Sequence, residues 1–280
     1  MTPMGKLAAL HNRRGGISLL LGGVWRYRHF ILSSIRTEFV SRFVRSRLGG
    51  LWIIINPLTQ VLIYAIVLSK LMGAKLAGID NRYAYAIYLC AGQLAWNLFA
   101  EVISRSLTVF IDNANMLKKI SFPRITLPVI LLGSSLLNNI FLLAAVFLVF
   151  AVLGHLPGIA VVCIPLLIVV TLGLAVGIGL VLGVLNVFFR DIGQVVPILL
   201  QILFWFTPIA YPPTIIPAAL LSWMRFNPLY YLVVGYQNAL VYDRFPGPRG
   251  LLAVFGFSLL LLAFGLTLFR RAGADMMDVL

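Results

Sequence analysis

IAVVCIPLLIVVTLGLAVGIGLVLGVLNV, residues 159–187, is a long apolar segment without a single charged side chain. An α-helix needs about 20 apolar residues to cross the hydrocarbon core of a bilayer, so this segment is long enough to span a membrane. Hydrophobic residues make up 61% of the chain and charged residues only 11%, whereas soluble domains contain about 45–50% and about 25%. The sequence therefore predicts an all-α integral membrane protein.

Six apolar segments have lengths that suit transmembrane helices. They are residues 51–72, 84–110, 126–153, 159–187, 195–210 and 251–269. The fifth is short and is either a full span or a re-entrant helix. With the amino terminus in the cytoplasm, most of the 22 Lys and Arg residues lie in cytoplasmic segments, as the positive-inside rule requires. We therefore expect a multi-pass protein with both termini in the cytoplasm.

Residues 26–48 precede the first predicted span and mix apolar with charged side chains. In a helix, one face carries Ser34, Glu38, Ser41, Arg42 and Arg45, and another carries Ile31, Ile35, Phe39 and Phe43. Arginine side chains can extend to lipid headgroups while their helix stays at the interface. The pattern predicts an amphipathic interface helix in the membrane plane, and an ordinary charged segment is the alternative. Residues 1–25 are predicted to be a cytoplasmic tail.

Residues 204–250 are too apolar for a solvated loop and too rich in proline for a plain span. The segment is divided by Pro208, Pro212, Pro213, Pro217 and Pro228. We therefore predict short re-entrant helices on the outer side, between the fifth and sixth spans. Their aromatic residues include Trp205, Tyr211, Trp223, Tyr230 and Tyr231. Such residues anchor proteins at the membrane interface, and the alternative is that some of them stack on sugar rings.

The sequence lacks the motifs of the common catalytic sites. Nothing matches the GxxxxGK[ST] phosphate loop or the GxSxG and HExxH motifs. Cys90 and Cys163 lie in apolar segments without neighbouring ligands, so we interpret them as small hydrophobic residues and predict no metal site. The net charge of +14 comes from bases that flank apolar spans, which indicates anionic lipid rather than nucleic acid as the partner.

Glu101 and Arg105 lie four residues apart near the cytoplasmic end of the second predicted span. A glutamate that precedes an arginine by four residues forms the favourable helical ion pair. Ionisable groups inside membranes are also often functional. The pair is therefore either a locally neutralised pair near the interface or part of a substrate path.

Glycines recur at a spacing of four in the fourth predicted span. Gly173 and Gly177 form one pair, and Gly179 and Gly183 form another. Because small residues at this spacing allow the backbones of two helices to approach closely, both pairs predict helix–helix contacts.

Six fragments in a characteristic order and spacing cover nearly the whole chain from about residue 26. They are RSRLGGLWIIINPL (45–58), NANMLKKISFPRITLP (113–128), LNVFFRDIGQ (185–194), FWFTPIAYP (204–212), FNPLYYLV (226–233) and ADMMDVL (274–280). Together they resemble the membrane subunit of bacterial polysaccharide-exporting ABC transporters, the type-two permeases that move O-antigen, capsule or teichoic acid. Residues 26–280 are accordingly interpreted as one type-two transmembrane domain.

This resemblance implies a homodimer of six-span permeases in the bacterial cytoplasmic membrane. It also implies two cytoplasmic ATP-binding subunits, which bind the ATP and Mg²⁺, so that this chain has no cofactor and is not an enzyme. The implied substrate is a long glycan on polyprenyl pyrophosphate or a related glycolipid. The alternatives are a type-two exporter of a drug, haem or small lipid, a membrane glycosyl- or phospho-transferase, which would need clustered acids, and a passive channel.

The resemblance identifies NMLKKISFPRI, residues 115–125, as the coupling helix that contacts the ATP-binding subunit. Asn115 is predicted as its amino cap, and Pro123 as its end. Met116, Leu117 and Phe122 offer apolar contacts, and Lys118, Lys119 and Arg124 offer positive charges for acids or lipid phosphate. Arg190 and Asp191 form a weaker second contact in the next cytoplasmic turn. The alternative, a plain positive-inside loop, does not explain the interleaved apolar residues.

The same resemblance suggests a path for the substrate. Arg42, Arg45 and Arg47 are predicted to attract the lipid pyrophosphate near the cytoplasmic leaflet. The glycan is then predicted to slide between two protomers along stacking residues Tyr88, Trp96 and Phe99, near Glu101 and Arg105.

Overall fold

The structure is a computed structural model that describes residues 17–44, 52, 55, 59, 63, 83–119, 123–273 and 275–279. Apart from four helical positions, the first predicted span at 51–72 lies outside these residues. Arg45, Arg47 and Phe122 also lie outside them, as do the side chains of Arg42 and Lys119.

The described part of the chain is built from helices. They are α1 (Ile17–Arg26), α2 (Arg28–Val44), α3 (Ala84–Asp112), α4 (Ala114–Lys119), α5 (Thr126–Val152), α6 (Ile164–Phe188), α7 (Ile192–Trp205), α8 (Ala218–Met224), α9 (Pro228–Val241), α10 (Pro248–Ala272) and α11 (Asp275–Val279). Short 3₁₀ helices at Ile159–Cys163 and Pro213–Ile215 precede α6 and α8.

Several of these helices begin at a proline, whose fixed φ and missing N–H suit the first turn. Proline occupies the first or second position of α6, α9 and α10. At the start of α9, the Asn227 side chain also accepts a hydrogen bond of 3.0 Å from the Leu229 backbone N–H. This cap satisfies one of the free donors at the helix amino terminus.

Four described helices are long and apolar enough to cross a membrane: α3, α5, Ile159–Phe188 and α10. They coincide with the predicted spans 84–110, 126–153, 159–187 and 251–269. The predicted fifth span at 195–210 is shorter than expected, because α7 has 14 residues and ends at Trp205. A helix of that length covers about 21 Å, less than the roughly 30 Å hydrocarbon core.

Helix α3 lies at the centre of the bundle. It packs most extensively against α6 and also contacts α5 and α9. Its side chains are buried along most of its length, including Ile87, Leu94 and Ile103. Helix α6 lies between α3 and α10, so a helix without charged residues separates the central helix from the last span.

The two glycine pairs of α6 serve two different neighbours. Gly173 and Gly177 face α10, where a Cβ on Gly177 would lie 2.8 Å from the Leu261 Cβ. Gly179 and Gly183 face α3, where a Cβ on Gly183 would overlap the Ser106 carbonyl oxygen. The predicted close helix contacts are therefore confirmed, and opposite sides of α6 make them.

The bundle has two chemically distinct ends. The basic end comprises residues 112–119, 123–126, 186–192, 269–273 and 275–279, and the aromatic end comprises residues 83–88, 153–160 and 205–247. At the aromatic end, the Asp243 carboxylate accepts a hydrogen bond of 2.8 Å from the Ala160 N–H. At the basic end, Phe110 stacks on Phe269 with ring centroids 5.4 Å apart.

Helix α2 lies alongside the first half of α5. Ile35 packs so closely on Gly133 that a Cβ there would overlap the Ile35 Cδ1, and Phe39 stacks on Phe141 with centroids 5.1 Å apart. The contacts follow the same order along both helices. A helix in the membrane plane would cross a span at one level, so this packing does not match the predicted in-plane orientation of residues 26–48.

Candidate functional site

Helix α4 is the described part of the basic segment 115–125. It begins at Ala114, directly after Asn113, whose carbonyl accepts the N–H groups of Met116 and Leu117 at 3.0 and 2.9 Å. Asn115 therefore lies inside the helix, and its predicted role as amino cap is wrong. Asn115 and Lys118 are exposed, whereas Leu117 is buried in the chain itself.

The segment that joins α4 to α5 is held by hydrogen bonds within the chain. The Pro123 carbonyl accepts the Thr126 hydroxyl at 2.6 Å and starts the first turn of α5. The Arg124 guanidinium donates to the Gly273 carbonyl at the end of α10. A cation at this position also complements the negative end of the helix dipole, so Arg124 joins the basic segment to the carboxyl end of the last span.

The predicted second contact, Arg190 and Asp191, lies in the exposed turn between α6 and α7. The Asp191 carbonyl accepts the Val195 N–H at 3.0 Å and begins α7. Both side chains are exposed at the basic end, on the same end of the bundle as α4. Arg42 belongs to the last turn of α2.

A network of polar side chains joins α2, α3 and α5. Arg105 of α3 forms an ion pair with Glu38 of α2 and a second one, at 3.3 Å, with Glu101 one turn earlier. Ser134 of α5 donates to Glu38 at 3.0 Å. We call these residues, together with Ser135 and Asn138, the polar cluster.

The remaining hydrogen bonds of the polar cluster are made to its second carboxylate, that of Glu101. Asn138 donates to Glu101 at 2.8 Å, and Ser135 donates to the same oxygen at 3.3 Å. The predicted Glu101–Arg105 pair is confirmed. Its partners Glu38 and Ser135 were missed, although the polar face of residues 34–45 already contained Glu38.

The three aromatic residues predicted to line a glycan path are packed inside the chain. Tyr88, Trp96 and Phe99 are 1%, 8% and 3% exposed. Trp96 contacts Phe204 of α7 edge-on, with centroids 5.4 Å apart. Their stacking role stays a prediction, because a path between protomers requires a second copy of the chain.

Residues 206–211 form a non-helical turn after α7, in which Thr207, Pro208 and Ile209 are buried. Tyr88 donates its hydroxyl hydrogen towards the Pro208 and Tyr211 carbonyls, both at 3.2 Å, and Gln237 of α9 donates to Pro208 at 2.9 Å. Tyr85 donates to the Ala210 carbonyl. Non-helical backbone at membrane depth requires such partners, because no water is present there to replace them.

The aromatic residues of the aromatic end divide into exposed and packed groups. Trp205 and Trp223 are 59% and 74% exposed. Tyr211 is half-buried and donates to the Trp205 carbonyl, and burial raises the pKa of its phenol above the ordinary value. Tyr230 and Tyr231 contact each other edge-on at 5.4 Å. Thus Trp205 and Trp223 are the two tryptophans of this end with most of their surface exposed in the single chain.

A cleft of about 730 Å³ opens between α2, α3, α4 and α5 at the basic end. We call it the polar cleft. Its polar lining comprises Ser33, Ser34, Thr37, Glu38, Arg105, Thr108, Asp112 and Asn113, and its apolar lining comprises Phe30, Val109, Met116, Leu127, Ile130 and Leu131. The cleft therefore adjoins both the polar cluster and helix α4. Within the described residues, no group of His, Cys, Asp and Glu could hold a metal ion.

Comparison with known proteins identifies relatives whose names all refer to polysaccharide export or transport. The chain is 26% identical to an O-antigen export system permease protein RfbA of Myxococcus xanthus over 87% of this chain and 92% of that protein. It is 30% identical to an RfbA permease of Klebsiella pneumoniae over 70% of this chain and 74% of that protein. A polysialic acid transport protein KpsM of Escherichia coli is 25% identical over 83% and 89%.

The family comparison covers the same helices that build the site. The model of the family described as ABC-2 type transporter matches residues 30–241, from the start of α2 to the end of α9. This range includes the polar cluster, the basic segment and the non-helical turn at 206–211. With its apolar spans and its length-wide similarity to export permeases, the chain belongs to the ABC-2 type transporter family.

Proposed function

We propose that this chain is the permease subunit of an ATP-driven exporter that translocates a lipid-linked polysaccharide across the bacterial cytoplasmic membrane. The observation that carries the proposal is the similarity to O-antigen export permeases over most of the chain. Because these relatives and the polysialic acid transporter are named for polysaccharides, they favour a glycan over a drug or small lipid. The lipid carrier in the proposal is polyprenyl pyrophosphate.

In this proposal the energy comes from a separate subunit. The sequence contains no GxxxxGK[ST] phosphate loop, the motif that cradles nucleotide phosphates in ATPases of this kind. Two cytoplasmic ATP-binding subunits, with ATP and Mg²⁺, would therefore dock beneath two copies of the permease. The chain itself is then a transport subunit and not an enzyme.

The coupling role of the basic segment is supported by its place in the chain. Helix α4 directly follows α3, and Pro123 and Arg124 lead into α5. Exposed Asn115 and Lys118 are available to a partner, while buried Leu117 fixes the helix to the bundle. A displacement of α4 therefore reaches the ends of α3 and α5, and the polar cluster extends it to α2.

The substrate path in this proposal begins at a group of three arginines. The lipid pyrophosphate enters near Arg42, Arg45 and Arg47, where positive charge favours it. The glycan then passes between two permease copies and leaves past the exposed Trp205 and Trp223. Aromatic faces suit a moving polymer, because stacking does not require a fixed set of hydrogen bonds.

The proposed assembly contains two copies of the chain. Helix α7 supports this, because Val196 is its one fully buried residue in the single chain, while Val195, Ile198, Leu199 and Ile202 are exposed. A helix that is too short to cross the bilayer and packs little against its own chain gains support from a second protomer.

The experiment that tests the coupling is a triple substitution, Lys118→Ala, Lys119→Ala and Phe122→Ala, in cells that depend on the permease for surface polysaccharide. We expect loss of export with normal permease levels in the membrane, and loss of substrate-dependent ATP hydrolysis in the reconstituted complex. Arg225→Ala, Arg249→Ala and Phe245→Ala, exposed residues of the same types near the aromatic end, form the matched control. Export at the control level in the first variant refutes the coupling role.

A further inference from the structure

The polar cleft has the size and depth of a ligand site. Its volume of about 730 Å³ falls within the range of about 300–1,000 Å³ that is typical of small-molecule sites. Arg105 and Asp112 both line it, and seven residues of α-helix separate them by about 10 Å. Since α3 ends at Asp112, the cleft extends from the end of a span into the level of the lipid headgroups.

The charges of the cleft lining favour a cation over an anion. Arg105 is already paired with the carboxylates of Glu38 and Glu101. Asp112 is exposed to the cleft and forms no ion pair with any described residue. An added phosphate would thus face the Asp112 carboxylate, whereas an ammonium group would gain an ionic partner there.

The rest of the lining suits an amphipathic molecule. Ser33, Thr37 and Thr108 provide exposed hydroxyl groups, which can accept hydrogen bonds from an ammonium group and donate to a phosphate ester. Leu127, Ile130 and Leu131 of α5 contribute apolar atoms to the lining, each with at most 9% of its surface exposed. A ligand with a polar, ammonium-bearing end and an adjoining hydrocarbon part matches both parts of the lining at once.

We propose that the polar cleft binds a zwitterionic phospholipid with a primary ammonium headgroup, of the phosphatidylethanolamine type. The ammonium group pairs with Asp112, the phosphate ester accepts hydrogen bonds from the hydroxyl groups, and an acyl chain lies along α5. This site is distinct from the arginines at 42–47, which are proposed for the anionic substrate lipid. A lipid bound in the polar cleft fills the space between α2 and α3 next to the polar cluster, so it stabilises the position of α2.

The test uses the full-length permease, purified in mild detergent and mixed with phosphatidylethanolamine, phosphatidylcholine or phosphatidylglycerol with identical acyl chains. Native mass spectrometry measures the bound lipid. We expect the highest occupancy with phosphatidylethanolamine, because the trimethylated choline group cannot donate hydrogen bonds and the glycerol headgroup leaves a net negative charge. Equal or tighter binding of phosphatidylglycerol overturns the proposal.

Two substitutions test whether the lipid binds in the polar cleft. Asp112→Asn should weaken phosphatidylethanolamine binding by about tenfold, the loss expected for one charge-assisted hydrogen bond. Thr37→Leu should lower it by filling the cleft from the α2 side. Asp278→Asn, which removes an exposed carboxylate on α11, is the matched control and should leave binding unchanged. If Asp112→Asn binds the lipid as well as the control does, the cleft is not the site.

A soluble competitor separates a lipid site from a site for free amines. Glycerophosphoethanolamine carries the same headgroup without acyl chains, so we expect it not to displace the lipid at equal concentration. Equal competition contradicts the lipid assignment. All of these readouts measure lipid binding to the isolated chain, so their failure leaves the proposed export function standing, and a failure of export does not affect them.

Discussion

Glu38 of α2 forms an ion pair with Arg105 of α3, although 67 residues separate them along the chain. The same guanidinium contacts Glu101, and Ser134 of α5 donates to Glu38. Arg105 therefore contacts two carboxylates at the junction of three helices. This arrangement ties the helix that precedes the first predicted span to the two helices that flank the basic segment 115–125.

The ion pair predicts a non-additive effect on stability. Arg105→Gln removes the cation that contacts both Glu38 and Glu101, so we expect it to lower Tm more than Glu38→Gln does. Both side chains are partly exposed, 24% and 29%, which limits the coupling energy to about 1 kcal/mol. Thermal unfolding in detergent, followed by tryptophan fluorescence, measures the single and double variants. Arg190→Gln in the exposed turn is the control, and additive shifts of Tm would contradict the pairing.

The contact between α3 and α6 predicts that Gly183 tolerates no side chain. A methyl group there would overlap the Ser106 carbonyl oxygen, and this backbone cannot move without separating the helices. We expect Gly183→Ala to destabilise the protein by about 1–3 kcal/mol, as overpacking does. Gly256→Ala in α10 is the control, because a Cβ there would have no atom within 4 Å and alanine is the better helix former. Equal unfolding temperatures would refute the close contact.

At the aromatic end, a second glycine, Gly158, is predicted to tolerate no side chain. A Cβ on Gly158 would overlap the Asp243 carboxylate, which accepts the Ala160 N–H. We expect Gly158→Ala to displace Asp243 and loosen the segment that follows α9, so that trypsin cleaves faster after exposed Arg244. Gly247→Ala, with open space around it, should be cleaved at the wild-type rate. Cleavage of Gly158→Ala at that same rate would show that Asp243 does not hold this segment.

Tyr88→Phe separates a structural role from a stacking role. The substitution keeps the aromatic ring but removes the hydroxyl that contacts the Pro208 and Tyr211 carbonyls. Because buried carbonyls lose a partner, we expect a loss of about 1–2 kcal/mol in stability and a fall in export that follows the loss of folded protein. The measurements are Tm and surface polysaccharide at equal permease levels. An unchanged Tm would leave stacking as the better explanation of this residue.

The proposed dimer predicts a cross-link through α7. Ile198→Cys, in a background with Cys90→Ala and Cys163→Ala, should give a dimer with a short bifunctional thiol reagent in native membranes. Leu260→Cys, on an exposed face of α10, is the matched control and should remain monomeric. A monomer in both variants, with confirmed labelling of the thiol introduced by Ile198→Cys with a monofunctional reagent, would argue against α7 as the contact between protomers.

Local sequence patterns anticipated the features that depend on neighbouring residues. The four described spans follow from apolar segments of bilayer length, and the Glu101–Arg105 pair follows from helical spacing. The glycine pairs of α6 were also visible, since a spacing of four places both residues on one face. The ion pair and the glycine pairs are decided within one or two turns of helix, and each span is decided by one continuous apolar segment, so none of these features depends on distant residues.

Features that join distant residues were not predictable from such patterns. Arg124 was expected to meet a partner protein or lipid, but its guanidinium donates to Gly273, 149 residues away. Tyr88, Trp96 and Phe99 were identified as aromatic residues in a span, yet the pattern could not indicate that they face the interior of the same chain. The length of α7 also escaped prediction, because the non-helical turn at 206–211 depends on hydrogen bonds from α3 and α9.

The sequence by itself determined that this protein lies in a membrane and where its spans are, because the transfer of apolar side chains into a bilayer depends mainly on composition and length. Tertiary structure alone decided which polar groups meet: Glu38 with Arg105, Asp243 with Ala160, and Tyr88 with the turn after α7. Inside a membrane, a polar group without a partner costs free energy, and any of several partners would remove that cost. The sequence is therefore compatible with several pairings. The packing of α3 against α5, α6 and α9 selects one of them.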